Sequence, residues 1–162
     1  MEWIEEQVSS ILSQKSISIE IFISVDLSND KTHEWCQGLA GKNAHVKVLP
    51  YGEKFGGAAK NFFRLIRDVD FSCFDYVALS DQDDIWDSSK LHHAIRTIEQ
   101  DSLDGYSSDV IAFWSNGREK LVKKSFPQKK FDYFFEAAGP GCTYVLKQQP
   151  TQKFKKFLIK NW

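Results

Sequence analysis

A short apolar segment that runs directly into three acidic residues is the feature that most constrains the fold of this chain. Residues 74–79 are rich in β-forming side chains, which is typical of a strand covered on both faces. Carboxylates follow at once, at Asp81, Asp83 and Asp84. A strand of this kind needs helices on both sides of its sheet, and such sheets bind ligands at the carboxyl ends of their strands. The segment therefore predicts an α/β fold with a ligand site at the acids.

The rest of the chain alternates between helical and extended patterns. The predicted helices are residues 4–15, 30–40, 58–69 and 91–98, and the predicted strands between them are 19–25, 46–49 and 74–79. This alternation indicates right-handed crossovers and a mostly parallel sheet flanked by helices. Beyond Asp101 the pattern changes to a strand at 109–115, a hairpin turn at Asn116–Gly117, an aromatic stretch at 131–137, a strand at 142–146 and a last helix.

Composition excludes several classes of protein. A chain of 162 residues with 42% hydrophobic content can bury one core, which predicts a single domain. The formal net charge is −1 and the basic residues cluster only at 120–130, which argues against a nucleic-acid partner. No apolar run approaches the roughly 20 residues of a membrane-spanning helix and no signal peptide is evident, so we expect a cytoplasmic protein. Cys36, Cys73 and Cys142 lack disulfide or zinc spacing and are predicted to be buried free thiols.

Local pattern alone leaves two interpretations of the acids open. Asp and Ser often cap helices or form turns, so Asp87 or Ser88 could cap the next helix and Asp84 could lie in a turn. Asp81 and Asp83 are not explained in this way. Residues i and i+2 of an extended chain point to the same side and can share one hard cation through oxygen ligands. Metal or nucleotide binding and a structural role therefore stay equally open for this segment.

Several separated segments resemble family 2 glycosyltransferases, in particular their rhamnosyltransferase-like group. They are the acid run 80–86, the turn 24–32, the helix start 57–62 and the glycine segment 139–143. The first resembles the family's Asp-x-Asp region, where the form SDQDDIW is frequent, and the second resembles its SDDGSTDGT turn. The resemblance implies an enzyme with the Rossmann-like GT-A fold. It also implies that residues 1–101 bind a nucleoside diphosphate sugar and that residues 102–162 begin the acceptor half.

The resemblance also implies roles for individual residues. Asp83 is expected to be the leading ligand of Mg²⁺ or Mn²⁺, with Asp81 contacting the metal or the nucleotide ribose, because a divalent cation stabilises a departing diphosphate. Asp26 is expected to bind the nucleotide base or ribose, and Lys60 the diphosphate. Asp84 is expected near the donor sugar or the acceptor, with a turn role equally open. The alternatives are a turn role for Asp26 and a solvated surface position for Lys60.

Two neighbours of these residues are expected to have mainly structural roles. Trp86 could stack on a sugar ring, but packing beneath the acids is the preferred interpretation because large aromatic side chains dominate cores. Asn61 is expected to fix a loop by hydrogen bonds rather than to touch substrate.

The resemblance further indicates what this chain lacks. Family members begin with an apolar strand and continue, beyond the glycine segment, to a catalytic base, and neither has a counterpart here. We therefore expect either a gap or direct pairing between the strands at 19–25 and 74–79. We also expect little or no transferase activity from this chain alone, because an inverting displacement needs a base to deprotonate the acceptor hydroxyl. The catalytic residue is thus unassigned.

The expected partners follow from the same resemblance. They are a nucleoside diphosphate sugar and a cell-surface glycan or lipid-linked acceptor, with peripheral association at the inner face of the membrane. The alternative is a non-catalytic remnant that binds a nucleotide or a metal. A phosphoryl- or nucleotidyl-transferring enzyme is disfavoured, because no glycine-rich phosphate loop precedes a Lys-Ser or Lys-Thr pair.

Overall fold

Helices and short strands alternate along the chain in the computed structural model, which describes residues 3–127, 129–135 and 137–162. The described helices are α1 (Ile4–Leu12), α2 (Thr32–Ala40), α3 (Ala58–Asp68), α4 (Lys90–Gln100) and α5 (Gln148–Asn161). The described strands are β1 (Ile21–Ile23), β2 (Val46–Val48), β3 (Tyr76–Ala78), β4 (Gly105–Tyr106), β5 (Val110–Phe113), β6 (Glu119–Val122) and β7 (Val145–Lys147). The predicted basic cluster and aromatic stretch each include one residue, 128 and 136 respectively, that lies outside the described residues.

The described strands form three small sheets. β1 pairs with β2 in parallel, whereas β7 lies between β3 and β4 and is antiparallel to both. β5 and β6 form the predicted antiparallel hairpin, whose turn contains Gly117 at φ 80°. The α/β fold is confirmed, but its sheets are mixed: among the described strands, parallel pairing is limited to β1 and β2 rather than general. The difference follows from where the distant β7 segment returns to β3: the N–H of Leu79 donates to the carbonyl of Tyr144 at 3.0 Å, so β7 starts where β3 ends and runs back along it.

β1 and β3 belong to different sheets, so a gap rather than direct pairing separates them in the described part of the chain. Side chains bridge the two segments instead. The rings of Phe22 and Phe74 meet edge-on with centroids 5.8 Å apart. Both strands therefore contribute to one hydrophobic interior without sharing a backbone ladder.

Two hydrophobic clusters form the core. The first joins α1, α4 and β7 through Ile11, Trp86, Leu91, Ala94, Ile98 and Val145. The second joins α3 and α5 through Leu49, Ile66, Val69, Phe71 and Leu158. Trp86 is 6% exposed, which confirms its predicted packing role. Because this ring is buried in the core, it anchors the segment that carries the acids, residues 80–87. We call this segment the acid loop.

The three cysteines are free thiols in different environments. Cys36 is buried in α2 and Cys142 is half-buried, whereas Cys73 is exposed. The prediction of a buried thiol is wrong for Cys73, because this residue lies in the surface turn between α3 and β3. Among the described residues, no helix has the length and apolar character needed to cross a membrane.

Candidate functional site

One face of α1 holds the acid loop by hydrogen bonds. The side-chain amide of Gln7 donates to Ser80 Oγ at 2.7 Å and to the carbonyl of Asp81. The hydroxyl of Ser10 accepts the backbone N–H of Trp86 at 3.0 Å. These contacts link the first two residues of the loop and its next-to-last residue to a helix that is itself packed in the core.

Gln14, two residues beyond the end of α1, holds the far end of the loop. Its Nε2 donates to the carbonyl of Asp87 at 2.6 Å, and its Oε1 accepts the N–H of Leu91 at 3.0 Å. Gln7 and Gln14 are each 8% exposed, so these bonds are shielded from water. Both glutamines were missed from the sequence, where α1 was interpreted only as an apolar stripe. The available signal was polar residues spaced i, i+3 and i+7 beside that stripe.

The acid loop brings Asp81 and Asp84 into one turn. The carboxylate of Asp84 accepts the backbone N–H of Asp81 at 3.0 Å, which is the turn role left open for it. Asp81 is partly buried and Asp83 is exposed. Burial raises the pKa of Asp81 above its usual range, and the negative charges of Asp84 and Asp83 raise it further. A cation placed between these carboxylates would relieve that repulsion.

The donor set fits a cation that is shared with a substrate. No group of three or more His, Cys, Asp or Glu side chains that could hold a metal occurs in the described ranges. Mg²⁺ nevertheless usually binds through one or two carboxylates together with substrate phosphates. Asp81 and Asp83 could supply two carboxylates, while Asp84 is engaged in the turn. The loop therefore fits a diphosphate-bound cation better than a structural metal.

The glycine segment, residues 139–143, meets the acid loop at Cys142. Burial raises the pKa of the Cys142 thiol to about 12, and the nearby carboxylate of Asp84 raises this pKa further. Lys90 Nζ donates to the carbonyl of Cys142 at 3.0 Å and lies 3.6 Å from the centroid of the Trp86 ring. Burial lowers the pKa of Lys90 to about 8. Two segments that lie far apart in sequence thus form one polar cluster.

Asp26 anchors a loop at the carboxyl end of β1. Its carboxylate accepts the backbone N–H groups of Leu27 at 2.9 Å, Phe55 at 2.6 Å and Gly56 at 2.8 Å. The bonds from Phe55 and Gly56 are the main cause of its lowered pKa. A carboxylate offers about four acceptor sites, so Asp26 has little capacity left for a ligand. The turn role considered for this residue is therefore present in the structure.

A second hydrogen-bonded group fixes the same end of β1. Asn61 Nδ2 donates to the carbonyl of Ser24 at 2.9 Å, in the loop-fixing role predicted for it. Arg64, which is 2% exposed, donates to Ser24 Oγ at 2.8 Å and lies over the Phe55 ring. Arg64 was missed, because nothing in the sequence separates it from an exposed helix arginine. Lys60 is exposed in the first turn of α3.

The predicted residues thus fall into two groups. The acid loop unites Asp81, Asp83 and Asp84, and the end of β1 with the start of α3 carries Asp26 and Lys60. No hydrogen bond or ion pair joins the two groups within the part of the chain that the structure describes. The glycine segment lies against both, because a Cβ on Gly141 would be 3.2 Å from the ring of Phe62 in α3.

Comparison with known proteins gives the family and a close relative. The model of glycosyl transferase family 2 matches residues 2–153. The chain is 51% identical over 160 residues to the dTDP-rhamnosyl transferase RfbG of Shigella flexneri, an alignment that covers 98% of this chain and 55% of RfbG. This chain therefore spans about half the length of the curated relative that it matches.

Solved structures share the fold at low sequence identity. A crystal structure of S. aureus TarS (residues 1–349) has a TM-score of 0.66 at 18% identity, covering 94% of this chain and 45% of that chain. The same protein in complex with UDP has a TM-score of 0.61 at 15% identity, covering 98% and 51%. At these identities the likeness supports the fold and no finer property.

Proposed function

The chain belongs to glycosyltransferase family 2, and from this we propose that it serves transfer of a sugar from a nucleoside diphosphate sugar. The proposal rests above all on the acid loop, which carries three carboxylates at the carboxyl end of β3 and is braced by α1 and by Gln14 just beyond it. The similarity to RfbG, named a dTDP-rhamnosyl transferase, supports dTDP-rhamnose as the donor.

Within this proposal, Asp83 and Asp81 bind a divalent cation, Mg²⁺ or Mn²⁺. When bound, such a cation supplies positive charge that stabilises the leaving diphosphate. The raised pKa of Asp81 supports this role, because crowded carboxylates gain most from a cation. Asp81 also lies near the nucleotide ribose in our proposal. Lys60 attracts diphosphate oxygens from the exposed start of α3, and Asp26 shapes the nucleotide side through the loop it anchors.

We also propose that residues 1–101 form the donor half and that the acceptor half starts within 102–162. The position of the glycine segment beside Asp84 supports this division, since it puts a segment of the second half next to the acid loop. Asp84 would then face the junction of donor and acceptor.

The acceptor in this proposal is a cell-surface glycan or its lipid-linked precursor, reached by peripheral association with the inner membrane face. One face of the β5–β6 hairpin supports such association, because Ile111, Phe113 and Leu121 are exposed by 59%, 46% and 59%. Lys120 and Lys123 lie on or beside the same hairpin, and basic residues next to apolar ones favour anionic lipid surfaces.

Calorimetric titration with dTDP and UDP, each with and without Mn²⁺, tests the proposed function. We expect Mn²⁺-dependent binding with a preference for dTDP, and we expect Asp83→Ala to abolish it. Asp101→Ala is the matched control, because Asp101 is an exposed acid at the end of α4, away from the loop. Nucleotide binding that does not depend on Mn²⁺, or that is lost equally in Asp83→Ala and Asp101→Ala, would contradict the metal role. Absence of any nucleotide binding would contradict the proposal itself.

A further inference from the structure

We propose that Lys90 is a positioning residue that holds the glycine segment against the acid loop and so sets the spacing between the two sides of the site. The identification of these two sides as the donor and acceptor sides rests on the proposed function. The contacts of Lys90 described below do not depend on the proposed function.

Lys90 makes two contacts of different kinds. Its ammonium group donates a hydrogen bond to the carbonyl of Cys142 at 3.0 Å. It also lies 3.6 Å from the centroid of the Trp86 ring, within the range of a cation–π interaction. Trp86 is 6% exposed and belongs to the core, so it gives the ammonium group a fixed support. The lysine thus joins a rigid part of the acid loop to the backbone of the glycine segment.

A second contact between the acid loop and the glycine segment involves Asp84 and Cys142. The carboxylate of Asp84 accepts the backbone N–H of Asp81 at 3.0 Å and lies close enough to the Cys142 thiol to raise the pKa of that thiol. A thiol is at most a weak hydrogen-bond donor, so proximity to Asp84 would hold the segment only loosely. A hydrogen bond from an ammonium group is stronger than one between neutral groups. Lys90 is therefore the stronger side-chain connection between the two segments, in addition to the backbone bond from Leu79 to Tyr144 where β3 meets β7.

The segment that Lys90 holds has little regular structure of its own. It forms a single 3₁₀ turn, in which Thr143 N–H donates to Pro140 at 2.9 Å and Tyr144 N–H donates to Gly141 at 3.2 Å. A short turn of this kind depends on outside contacts for its position. These two amides consequently report whether the segment is held.

Amide hydrogen exchange measured on the ligand-free chain tests this proposal. In Lys90→Met we expect the amides of Thr143 and Tyr144 to exchange about tenfold faster, because one charge-assisted hydrogen bond is lost. The amide of Leu49, which donates to Ile23 at 2.8 Å in the β1–β2 region, should keep its rate. Lys90→Arg keeps a cation over Trp86, so the amides of Thr143 and Tyr144 should again exchange slowly in this variant. If any substitution of Lys90 simply destabilised the whole protein, Lys90→Arg would not restore slow exchange.

Lys155→Met is the matched control. Lys155 also donates to a backbone carbonyl, that of Val69, and its ammonium lies 5.6 Å from the Phe71 ring, but in the second core cluster. The Lys155→Met substitution should leave the exchange rates of the Thr143 and Tyr144 amides unchanged. Unaltered exchange of these amides in Lys90→Met, or equal acceleration at Leu49, would overturn the proposal. Failure of the proposed function would show separately, as absence of nucleotide binding by the wild-type chain.

Discussion

Replacing Gln14 by alanine should destabilise the protein by about 3 kcal/mol. The substitution removes hydrogen bonds of 2.6 Å to the carbonyl of Asp87 and 3.0 Å from the N–H of Leu91. Each such bond contributes about 1 kcal/mol net, and an N–H left unpaired in the interior costs about 1 kcal/mol more. Leu91 is 7% exposed, so water does not readily replace the lost partner. For a chain of 162 residues this corresponds to a fall in melting temperature of about 6–12 °C.

Chemical and thermal unfolding followed by circular dichroism provide the assay for Gln14→Ala. Gln37→Ala is the matched control, because Gln37 is an exposed helix glutamine whose described side-chain bond reaches only His33, at 3.3 Å. We expect the control to change the free energy of unfolding by less than about 0.5 kcal/mol. If Gln14→Ala behaved like Gln37→Ala, the inference that Gln14 braces the end of the acid loop would be refuted.

Three further outcomes are expected. Hydrogen bonds from backbone N–H groups lower the pKa of Asp26 in the folded protein. These bonds therefore stabilise the fold fully above the ordinary pKa of 3.8, and the stabilisation is lost as the pH falls through the pKa of the folded state. As the pH is lowered, the free energy of unfolding should therefore fall more steeply for the wild type than for Asp26→Asn. Equal slopes in the two proteins would contradict this expectation. Gly105→Ala should lower the free energy of unfolding in urea by about 1–3 kcal/mol, because the added Cβ would lie 2.6 Å from the side chain of Leu146. Gly38→Ala in α2, where open space surrounds the glycine, should stabilise the protein slightly. The reverse order of the two effects would be inconsistent with the packing. Mg²⁺ with dTDP should raise the melting temperature of the wild type but not of Asp81→Asn, and an equal rise in both would count against Asp81 as a ligand.

The elements that could be predicted are those specified by local pattern. The helices and strands through α4 follow from periodicity, and the acid loop follows from the apolar segment before it. The packing of Trp86 and the hydrogen bonds of Asn61 were also predicted, because large aromatic and short amide side chains have strong preferences. The antiparallel course of β7 could not be predicted, since it depends on where the chain returns to β3 after more than sixty residues.

The bracing residues escaped prediction for a related reason. Gln7 and Gln14 bond to partners 73 and 77 residues away, so their environment is set by tertiary packing and not by neighbours in sequence. Buried Arg64 is similar, because its partner Ser24 lies 40 residues away at the end of another element. Polar side chains inside a core satisfy specific distant groups, and a one-dimensional pattern carries no information about which groups those are.

Paramagnetic broadening by Mn²⁺ most directly tests whether the acid loop binds a metal–nucleotide complex. In ¹⁵N-labelled protein, substoichiometric Mn²⁺ added with dTDP should broaden the amide resonances of residues 81–86 and of the glycine segment first. Without dTDP the effect should be much weaker, because phosphate oxygens complete the coordination. Selective broadening at the acid loop that disappears in Asp83→Ala is the predicted result. Broadening centred on other acidic residues, such as Asp101 and Asp104, or broadening that does not require dTDP, would contradict the account.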